Sequence, residues 1–190
     1  MKITSGKYKY RNIEVPGGIR PTTEKVREAV FSMIMQWLPD AEVLDLFAGS
    51  GAMGLEALSR GAARCTFVEA SRQNQRVLIS NIRNCGAGEE SFVLGRDYEA
   101  ALTEISARKV KPVFNIVIID PPYEKTDYYA TAMMKLQELE LVDEGSVVVC
   151  EHLYDNKLSD TYGKLAKFKE KKYGTIGVDL FLVDNSGTFC

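Results

Sequence analysis

A glycine triplet constrains the fold of this chain more than any other feature. Gly49, Gly51 and Gly54 have the spacing G-x-G-x-x-G. They follow the apolar run Val43–Phe47, a predicted strand, and open the predicted helix Ala52–Arg60. Glycines at these places allow a tight turn and a close approach of the backbone to a ligand. The segment therefore predicts the first βαβ unit of a nucleotide-binding sheet.

Predicted strands and helices alternate along the middle of the chain. The further strands are Cys65–Val68, Ser91–Leu94, Phe114–Ile119 and Ser146–Glu151, and the further helices are Ser71–Asn84, Tyr98–Ala107 and Thr126–Leu141. This alternation predicts an α/β fold with a mostly parallel, open sheet. Beyond residue 151, Leu165–Tyr173 and Gly177–Asp184 predict two strands joined by a turn at Gly174. Such consecutive strands form an antiparallel hairpin at the C-terminal end of the sheet.

The N-terminal region differs from the rest in pattern and charge. Residues 2–15 predict a short polar β-hairpin, closed by Pro16-Gly17-Gly18. A helix with one apolar face follows, from Val26 to Trp37. We expect residues 1–19 to form a basic arm and residues 20–190 to form one main domain, since 190 residues suit a single domain.

Charge excludes some functions. The chain has 24 basic and 26 acidic residues, a net charge of −2, which excludes a globally basic nucleic-acid binder but not a local basic patch. Residues 1–27 hold seven cations and two anions, and Lys164–Lys172 holds five lysines and only Glu170 as an acid. Each cluster is typical of a solvated surface, with phosphate binding as the alternative.

The remaining composition predicts a cytoplasmic protein. No apolar segment is long enough to span a membrane, and the chain start lacks the apolar run of a signal peptide. The four cysteines have no metal-ligand or paired spacing, which suits a reducing compartment; Cys65 and Cys150 lie in apolar runs and are expected in the core. The only histidine, His152, is interpreted as an ordinary loop residue, and we expect no metal site.

Three acidic residues bear on the choice of cofactor. Glu69 ends the second strand, 20 residues after Gly49, where a carboxylate can accept both hydroxyls of a ribose. Asp45 lies in the strand before the glycines, where it would repel a pyrophosphate but attract the ammonium and sulfonium of S-adenosylmethionine. Asp97 follows the third strand and suits contact with adenine, with a plain turn residue as the alternative. A nicotinamide-dependent oxidoreductase using the same loop stays open as a second interpretation.

Asp120-Pro121-Pro122-Tyr123, at the end of the fourth strand, is the most informative tetrapeptide. The prolines remove two N–H donors, which leaves the Asp120 carboxylate and the Pro121 carbonyl as acceptors for an exocyclic base amine. Tyr123 offers a ring on which a base can stack. The motif predicts methyl transfer to a nucleobase amine, and an adenine amine suits it as well as a guanine amine. A non-catalytic RNA-binding module is a further alternative.

These motifs resemble a known family. Asp45–Gly54, Glu69, Asp97 and Asp120–Tyr123 are similar to the motifs of class I S-adenosylmethionine-dependent methyltransferases that act on exocyclic amines, which have a Rossmann-like fold. Arg20–Ala29 and Asp45–Gly61 resemble the RsmD-type 16S rRNA guanine-N2 methyltransferases. The resemblance implies methylation of one guanine 2-amino group in 16S rRNA, within a small ribosomal subunit or its assembly intermediate, by a monomer.

The resemblance also implies roles for individual residues. Catalysis and guanine binding would fall to Asp120, Pro121, Pro122 and Tyr123. The cofactor would contact Arg20, Thr22, Asp45, Phe47, Ala48, Gly49, Ser50, Gly51, Glu69, Asp97, Tyr98 and Asp120, with an N-cap as the alternative for Thr22. RNA would contact the cations Lys7, Lys9, Arg11, Arg20, Lys25 and Arg27. Two features depart from the family: Tyr10 stands where a glycine is expected, and the tail Asn185–Cys190 has no counterpart.

Overall fold

The structure, a computed structural model, describes residues 1–18 and 22–186. Arg20 and residues 187–190 of the tail lie outside the described residues. The helices are α1 (Glu24–Met33), α2 (Ala52–Ser59), α3 (Arg72–Cys85), α4 (Tyr98–Ser106) and α5 (Tyr128–Glu138). The strands are β1 (Glu42–Asp45), β2 (Arg64–Val68), β3 (Ser91–Leu94), β4 (Ile116–Ile119), β5 (Val147–Leu153), β6 (Thr161–Tyr162), β7 (Leu165–Tyr173) and β8 (Ile176–Val183).

The strands form one sheet in the order β3-β2-β1-β4-β5-β8-β7-β6. Strands β1 to β5 are parallel, and β8, β7 and β6 add antiparallel neighbours. The expected α/β fold, with a mostly parallel open sheet and a C-terminal antiparallel hairpin, is confirmed. The two-residue strand β6 was not predicted, because so short a segment has no period to detect. No helix among the described residues combines the length and the apolar character needed to cross a bilayer.

Two hydrophobic cores cover the two faces of the sheet. One contains the apolar sides of α1, α2 and α3, and the other those of α4 and α5. All four residues of β4 are buried, as a strand covered on both faces requires. Strands β1 to β5 all end at one edge of the sheet, named here the carboxyl edge, and begin at the opposite amino edge. In open α/β sheets ligands bind at the carboxyl edge.

The N-terminal arm is less regular than the predicted hairpin. Its pairing is an isolated antiparallel bridge between Lys2 and Asn12. Ile3 and Ile13 are buried in the core, and the Lys7 N–H donates to the Ser59 carbonyl at 2.8 Å. The two halves of the arm also bond to each other, through the Ile3 N–H to the Arg11 carbonyl at 3.0 Å and the Ile13 N–H to the Met1 carbonyl at 2.7 Å, so the arm is an irregular hairpin anchored on α2. Since α2 ends at the amino edge, the tip of the arm lies there.

Helix α1 begins at the predicted cap segment, Pro21-Thr22-Thr23-Glu24, but ends earlier than predicted. Its N-cap is Thr23, whose side chain accepts from the Val26 N–H at 3.3 Å, and not Thr22. The α-helix ends at Met33, and a 3₁₀ turn at Met35–Trp37 follows. Arg27 also requires a correction, because it was grouped with exposed RNA-binding cations. It is fully buried, and its Nε donates to Glu56 Oε2 at 3.0 Å.

His152 is likewise not a loop residue. It lies within β5 and is fully buried, with its Nε2 3.3 Å from Asp179 Oδ1. Lys167 Nζ lies 2.9 Å from the other oxygen of Asp179. Burial opposes ionisation of Asp179, but hydrogen bonds and charge from His152 and Lys167 lower its pKa overall. Cys65 and Cys150 are buried as expected, and burial raises the pKa of both thiols.

Candidate active site

A cleft of about 720 Å³ opens at the carboxyl edge. The loops after β1, β2, β3 and β4 form its walls, together with the segment before α1. The cleft brings together most of the residues that the sequence indicated: Thr22, Asp45, Phe47, Ala48, Gly49, Ser50, Glu69, Asp97, Tyr98, Asp120, Pro121, Pro122 and Tyr123. The fold thus places the candidate cofactor residues and the candidate catalytic residues in one cavity.

The glycine loop needs glycine for packing as well as for backbone conformation. Gly51 is the N-cap of α2 with φ +79°, and a Cβ there would lie 2.4 Å from Leu78 Cδ1. A Cβ on Gly54 would lie 2.3 Å from the Phe67 ring, because α2 packs closely on β2. The loop can therefore keep its tight path only without side chains at these positions.

Asp45 lies under this loop. Its Oδ2 accepts from the Gly54 N–H at 3.0 Å, and the residue is 2% exposed. Burial raises the pKa of Asp45 to about 7, against the effect of the Gly54 hydrogen bond. Near neutral pH the carboxyl is therefore balanced between its protonated and ionised forms. A cation in the cleft would favour the ionised form.

Glu69 is fixed by two backbone donors. Its Oε2 accepts from the Gly49 N–H at 2.9 Å, and its Oε1 accepts from the Ser71 N–H at 2.7 Å. The first bond joins the loop after β1 to the loop after β2. Each carboxylate oxygen can accept a further hydrogen bond. Glu69 is therefore a pre-positioned acceptor at the mouth of the glycine loop.

An aromatic cluster forms the wall next to Asp97. The rings of Phe47, Tyr98 and Tyr128 pack together with centroid separations of 4.7 to 5.9 Å. Burial raises the pKa of Tyr98 to about 12, so its hydroxyl stays protonated. Asp97 itself caps α4, accepting from the Glu99 and Ala100 N–H groups. Tyr128 was not identified from the sequence, where a tyrosine at a helix start carries no distinguishing signal.

A third carboxyl group lies beside the catalytic motif. Thr22 Oγ1 is 2.8 Å from Glu151 Oε2 and 3.4 Å from Asp120 Oδ2, so its hydroxyl bridges the two carboxyl groups. Burial is the main reason that the pKa of Asp120 lies well above its usual range, and the negative charges of Glu151 and Asp45 add to the rise. The Thr22 hydrogen bond offsets only part of it. Glu151 was missed because it lies inside the buried strand β5, where only tertiary structure reveals its partners.

The candidate RNA-binding cations are spread over the molecule. Lys7, on the arm at the amino edge, pairs with Glu90. Lys9 lies 4.9 Å from the ring centre of Tyr10, which is 69% exposed with φ +71°. That left-handed backbone favours glycine, which gives a physical reason why a glycine is expected at this position. Arg11 is exposed on the same arm, and Lys25 is exposed in the first turn of α1.

Comparison with known proteins identifies the family of this chain. The family model described as conserved hypothetical protein 95 matches residues 1–182. The chain belongs to this family. A relative from Escherichia coli K12, named ribosomal RNA small subunit methyltransferase D, is 34% identical over 189 residues, covering 98% of this chain and 92% of the relative. The family model and this relative therefore both match nearly the whole of this chain.

Solved structures agree on the fold. The Escherichia coli protein yhhF superposes with a TM-score of 0.84 at 32% identity, over 97% of this chain and 98% of that one. A Salinibacter ruber RNA methyltransferase, solved with S-adenosyl-L-homocysteine, has a TM-score of 0.64 at 16% identity, over 87% of this chain and 95% of that one. The family member described here thus has the class I methyltransferase fold, with its sheet extended by the C-terminal strands.

Proposed function

We propose that this protein transfers the methyl group of S-adenosylmethionine to the exocyclic 2-amino group of a guanine in 16S rRNA. The observation that carries the proposal is the position of Asp120-Pro121-Pro122-Tyr123 in the same cleft as the glycine loop and Glu69. The name of the Escherichia coli relative supports rRNA as the substrate. We expect the enzyme to act as a cytoplasmic monomer on a small ribosomal subunit or its assembly intermediate.

The residues of the cleft fit S-adenosylmethionine. Six carboxyl groups line the cleft, those of Asp45, Glu69, Asp97, Glu99, Asp120 and Glu124, and Arg96 is the only cation among the described lining residues. Such a cleft favours a cofactor with an ammonium and a sulfonium over a pyrophosphate, which argues against a nicotinamide dinucleotide. Glu69 is placed to accept ribose hydroxyls, and the wall of Phe47, Tyr98 and Tyr128 suits the flat adenine ring.

Glu69 provides a direct test of cofactor binding. We expect Glu69→Ala to weaken the binding of S-adenosylhomocysteine by about 10- to 100-fold, because two charge-assisted hydrogen bonds are lost. The affinity for rRNA should change little. Calorimetry with the nucleoside and filter binding with rRNA measure the two separately, and Glu138→Ala, at an exposed position at the end of α5, is the control. Equal losses of both affinities would contradict the ribose role.

The catalytic motif can hold and orient a base amine. When bound, S-adenosylmethionine supplies a methyl group on a positively charged sulfur. The Asp120 carboxylate and the Pro121 carbonyl accept the two amine hydrogens, which favours a pyramidal nitrogen whose lone pair is withdrawn from the ring and faces the methyl donor. Tyr123 offers a surface for stacking, worth about 1–3 kcal/mol per base. The target base has to be unpaired or flipped out of its stack to enter such a cleft. Positioning then supplies most of the rate enhancement.

The proton released by the amine requires an acceptor. Methylation leaves the nitrogen with one proton too many, and the nearest carboxylate of the motif is Asp120. Its raised pKa makes Asp120 a stronger base than an exposed aspartate. The Thr22 hydroxyl lies beside the Asp120 carboxylate and is itself held in place by Glu151. Asp120 therefore both orients the amine and accepts its proton.

Labelled methyl transfer tests the proposal. The purified protein is incubated with tritiated S-adenosylmethionine and small ribosomal subunits from a host that lacks this activity. We expect label at one site in 16S rRNA, and no binding of NADH. Binding of S-adenosylhomocysteine without methylation of any RNA would support a non-catalytic binding module instead. Binding of NADH would support the oxidoreductase interpretation.

A further inference from the structure

The end of the β7–β8 hairpin lies at the same edge of the sheet as the catalytic cleft. Tyr173, the last residue of β7, pairs with Ile176, which pairs with Leu153 at the end of β5. The Tyr154 N–H donates to the Thr175 carbonyl in the hairpin turn at 2.8 Å. Strand β5 is the neighbour of β4, which leads into Asp120. The hairpin end is thus a continuation of the rim of the cleft.

This hairpin end is basic. It consists of Lys169, Lys171 and Lys172 on β7, with Tyr154 and Lys157 on the loop after β5. Lys171, Lys172 and Lys157 are exposed, and Lys169 is half-buried. The nearby acids in the sequence are Glu170 and Asp155, of which Glu170 pairs with Lys157. Lys167 does not belong to the cluster, since its side chain is 8% exposed and is bound to Asp179.

Two of these ammonium groups share one aromatic ring. Lys157 Nζ lies 3.4 Å and Lys172 Nζ lies 4.2 Å from the centre of the Tyr154 ring. The electron-rich face of a tyrosine attracts cations, which fixes both lysines near it. Glu170 already pairs with Lys157, but among the described residues Lys169, Lys171 and Lys172 form no ion pair, so their charges remain for an added anion. The arrangement therefore suits a phosphate.

Protection of a sheet edge is the alternative explanation for these lysines. Strand β6 pairs with Leu165 and Ala166, and within the described part of the chain no strand covers the outer edge of β7 from Phe168 onward. Lysines on such an edge discourage pairing with another chain. Edge protection does not require two ammonium groups to be held over Tyr154, nor does it require the charge to lie at the catalytic end of the strand.

We infer that the hairpin end binds backbone phosphates of the rRNA beside the target nucleotide. The inference rests on the proposed function and names the part of the surface that docks the substrate. It places the docking contact next to the cleft, whereas Lys7 of the arm lies at the amino edge. A contact beside the cleft can align the substrate strand directly with Asp120, which a contact across the sheet cannot do.

A charge-matched pair of variants tests the inference. The hairpin variant is Lys169→Gln/Lys171→Gln/Lys172→Gln. The control is Arg64→Gln/Arg83→Gln/Lys109→Gln, which removes three exposed cations next to the starts of β2, β3 and β4 at the amino edge. The kcat/KM for small subunits and the direct binding of 16S rRNA are measured at several salt concentrations. Affinity for S-adenosylhomocysteine and the oligomeric state are measured for both variants.

We expect the hairpin variant to lower kcat/KM and rRNA affinity by about 10- to 100-fold near 0.15 M salt and to flatten the salt dependence of binding by about two to three ion equivalents. Its kcat at saturating substrate and its affinity for S-adenosylhomocysteine should match those of the wild type. The control variant should lose less than twofold in kcat/KM and in rRNA affinity.

Losses in the hairpin variant no larger than those of the control would overturn the inference. So would self-association of the hairpin variant with unchanged rRNA binding, which is the result expected from edge protection alone. If the wild type methylates no RNA, the proposed function fails, and the rRNA-binding comparison still tests the hairpin end.

Discussion

Asp120→Ala is expected to lower kcat by about 100- to 1,000-fold while the affinity for S-adenosylhomocysteine stays within about twofold of wild type. The carboxylate is one of two acceptors at the end of β4 and accepts a hydrogen bond from Thr22. Its loss removes both the orientation of the amine and the acceptor of its proton. Single-turnover methyl transfer to small subunits measures the chemical step without product release.

A second variant and the pH dependence separate the two roles of Asp120. In Asp120→Asn the side-chain carbonyl can still accept an amine hydrogen but cannot take the proton, so we expect an intermediate rate. Since burial and the charges of Glu151 and Asp45 raise the pKa of Asp120, the acid limb of the wild-type pH profile should lie above the usual aspartate value of 3.8. This limb should be absent in Asp120→Asn. Full activity of Asp120→Ala would show that the acceptor arrangement is not the catalytic device.

Arg27→Met is expected to lower the free energy of unfolding by about 3–5 kcal/mol, because it removes the fully buried one of the two arginines that pair with the buried Glu56 carboxylate. The side chains of Arg27 and Glu56 are both fully buried. Glu56 also accepts hydrogen bonds from the Thr4 N–H and hydroxyl and from Arg60 Nε. The carboxylate therefore joins the arm, α1 and α2 in one network. Urea denaturation monitored by circular dichroism measures the loss.

Two further variants serve as controls for the buried pair. Arg60→Met removes a partner whose side chain is 17% exposed and should cost clearly less than Arg27→Met. Arg27→Met/Glu56→Leu removes both charges and should be more stable than the Arg27 single variant. An Arg27 variant as stable as the wild type would mean that the pair does not hold the arm in place.

The pH dependence of stability gives an independent check on Glu56. Burial opposes its ionisation, but hydrogen bonds from Thr4 and Arg60 and the charge of Arg27 lower its pKa below the usual 4.5. A carboxyl whose pKa is lower in the folded state stabilises the protein above the unfolded-state pKa, and this stabilisation is lost as the pH falls through the folded-state pKa. We therefore expect Glu56→Gln to remove part of the stability loss seen in the wild type below about pH 4.5.

The sequence predicted the sheet because apolar residues recur at regular spacings along its strands and helices. Ser91–Leu94 and Leu165–Tyr173 agree with the structure to the residue, and the other predicted boundaries differ by up to three residues. The first helix was the exception, since its apolar spacing continues into a 3₁₀ turn at Met35–Trp37. The glycine loop and Asp120–Tyr123 were recognisable because each combines rare residue types with a position at a strand end.

Burial of charge was the part that the sequence could not reveal. Arg27 belongs to a run of cations, and nothing local distinguishes it from exposed Lys25; only the approach of Glu56 from α2 explains its burial. His152 and Glu151 are adjacent polar residues after an apolar run, which is also the pattern of a strand entering a loop. Their partners Asp179 and Thr22 are 27 and 129 residues away in the chain. Long-range pairing of this kind leaves no periodic signal.

The identity of the methylated nucleoside tests the central claim most directly. After reaction with tritiated S-adenosylmethionine and small ribosomal subunits, the rRNA is digested and the labelled nucleoside is separated. We predict that the label appears in 2-methylguanosine. Label in N6-methyladenosine would contradict the guanine assignment while keeping the acceptor mechanism of Asp120 and Pro121. Label confined to ribose or to a ring carbon would contradict the account of an amine held by the Asp120–Tyr123 motif.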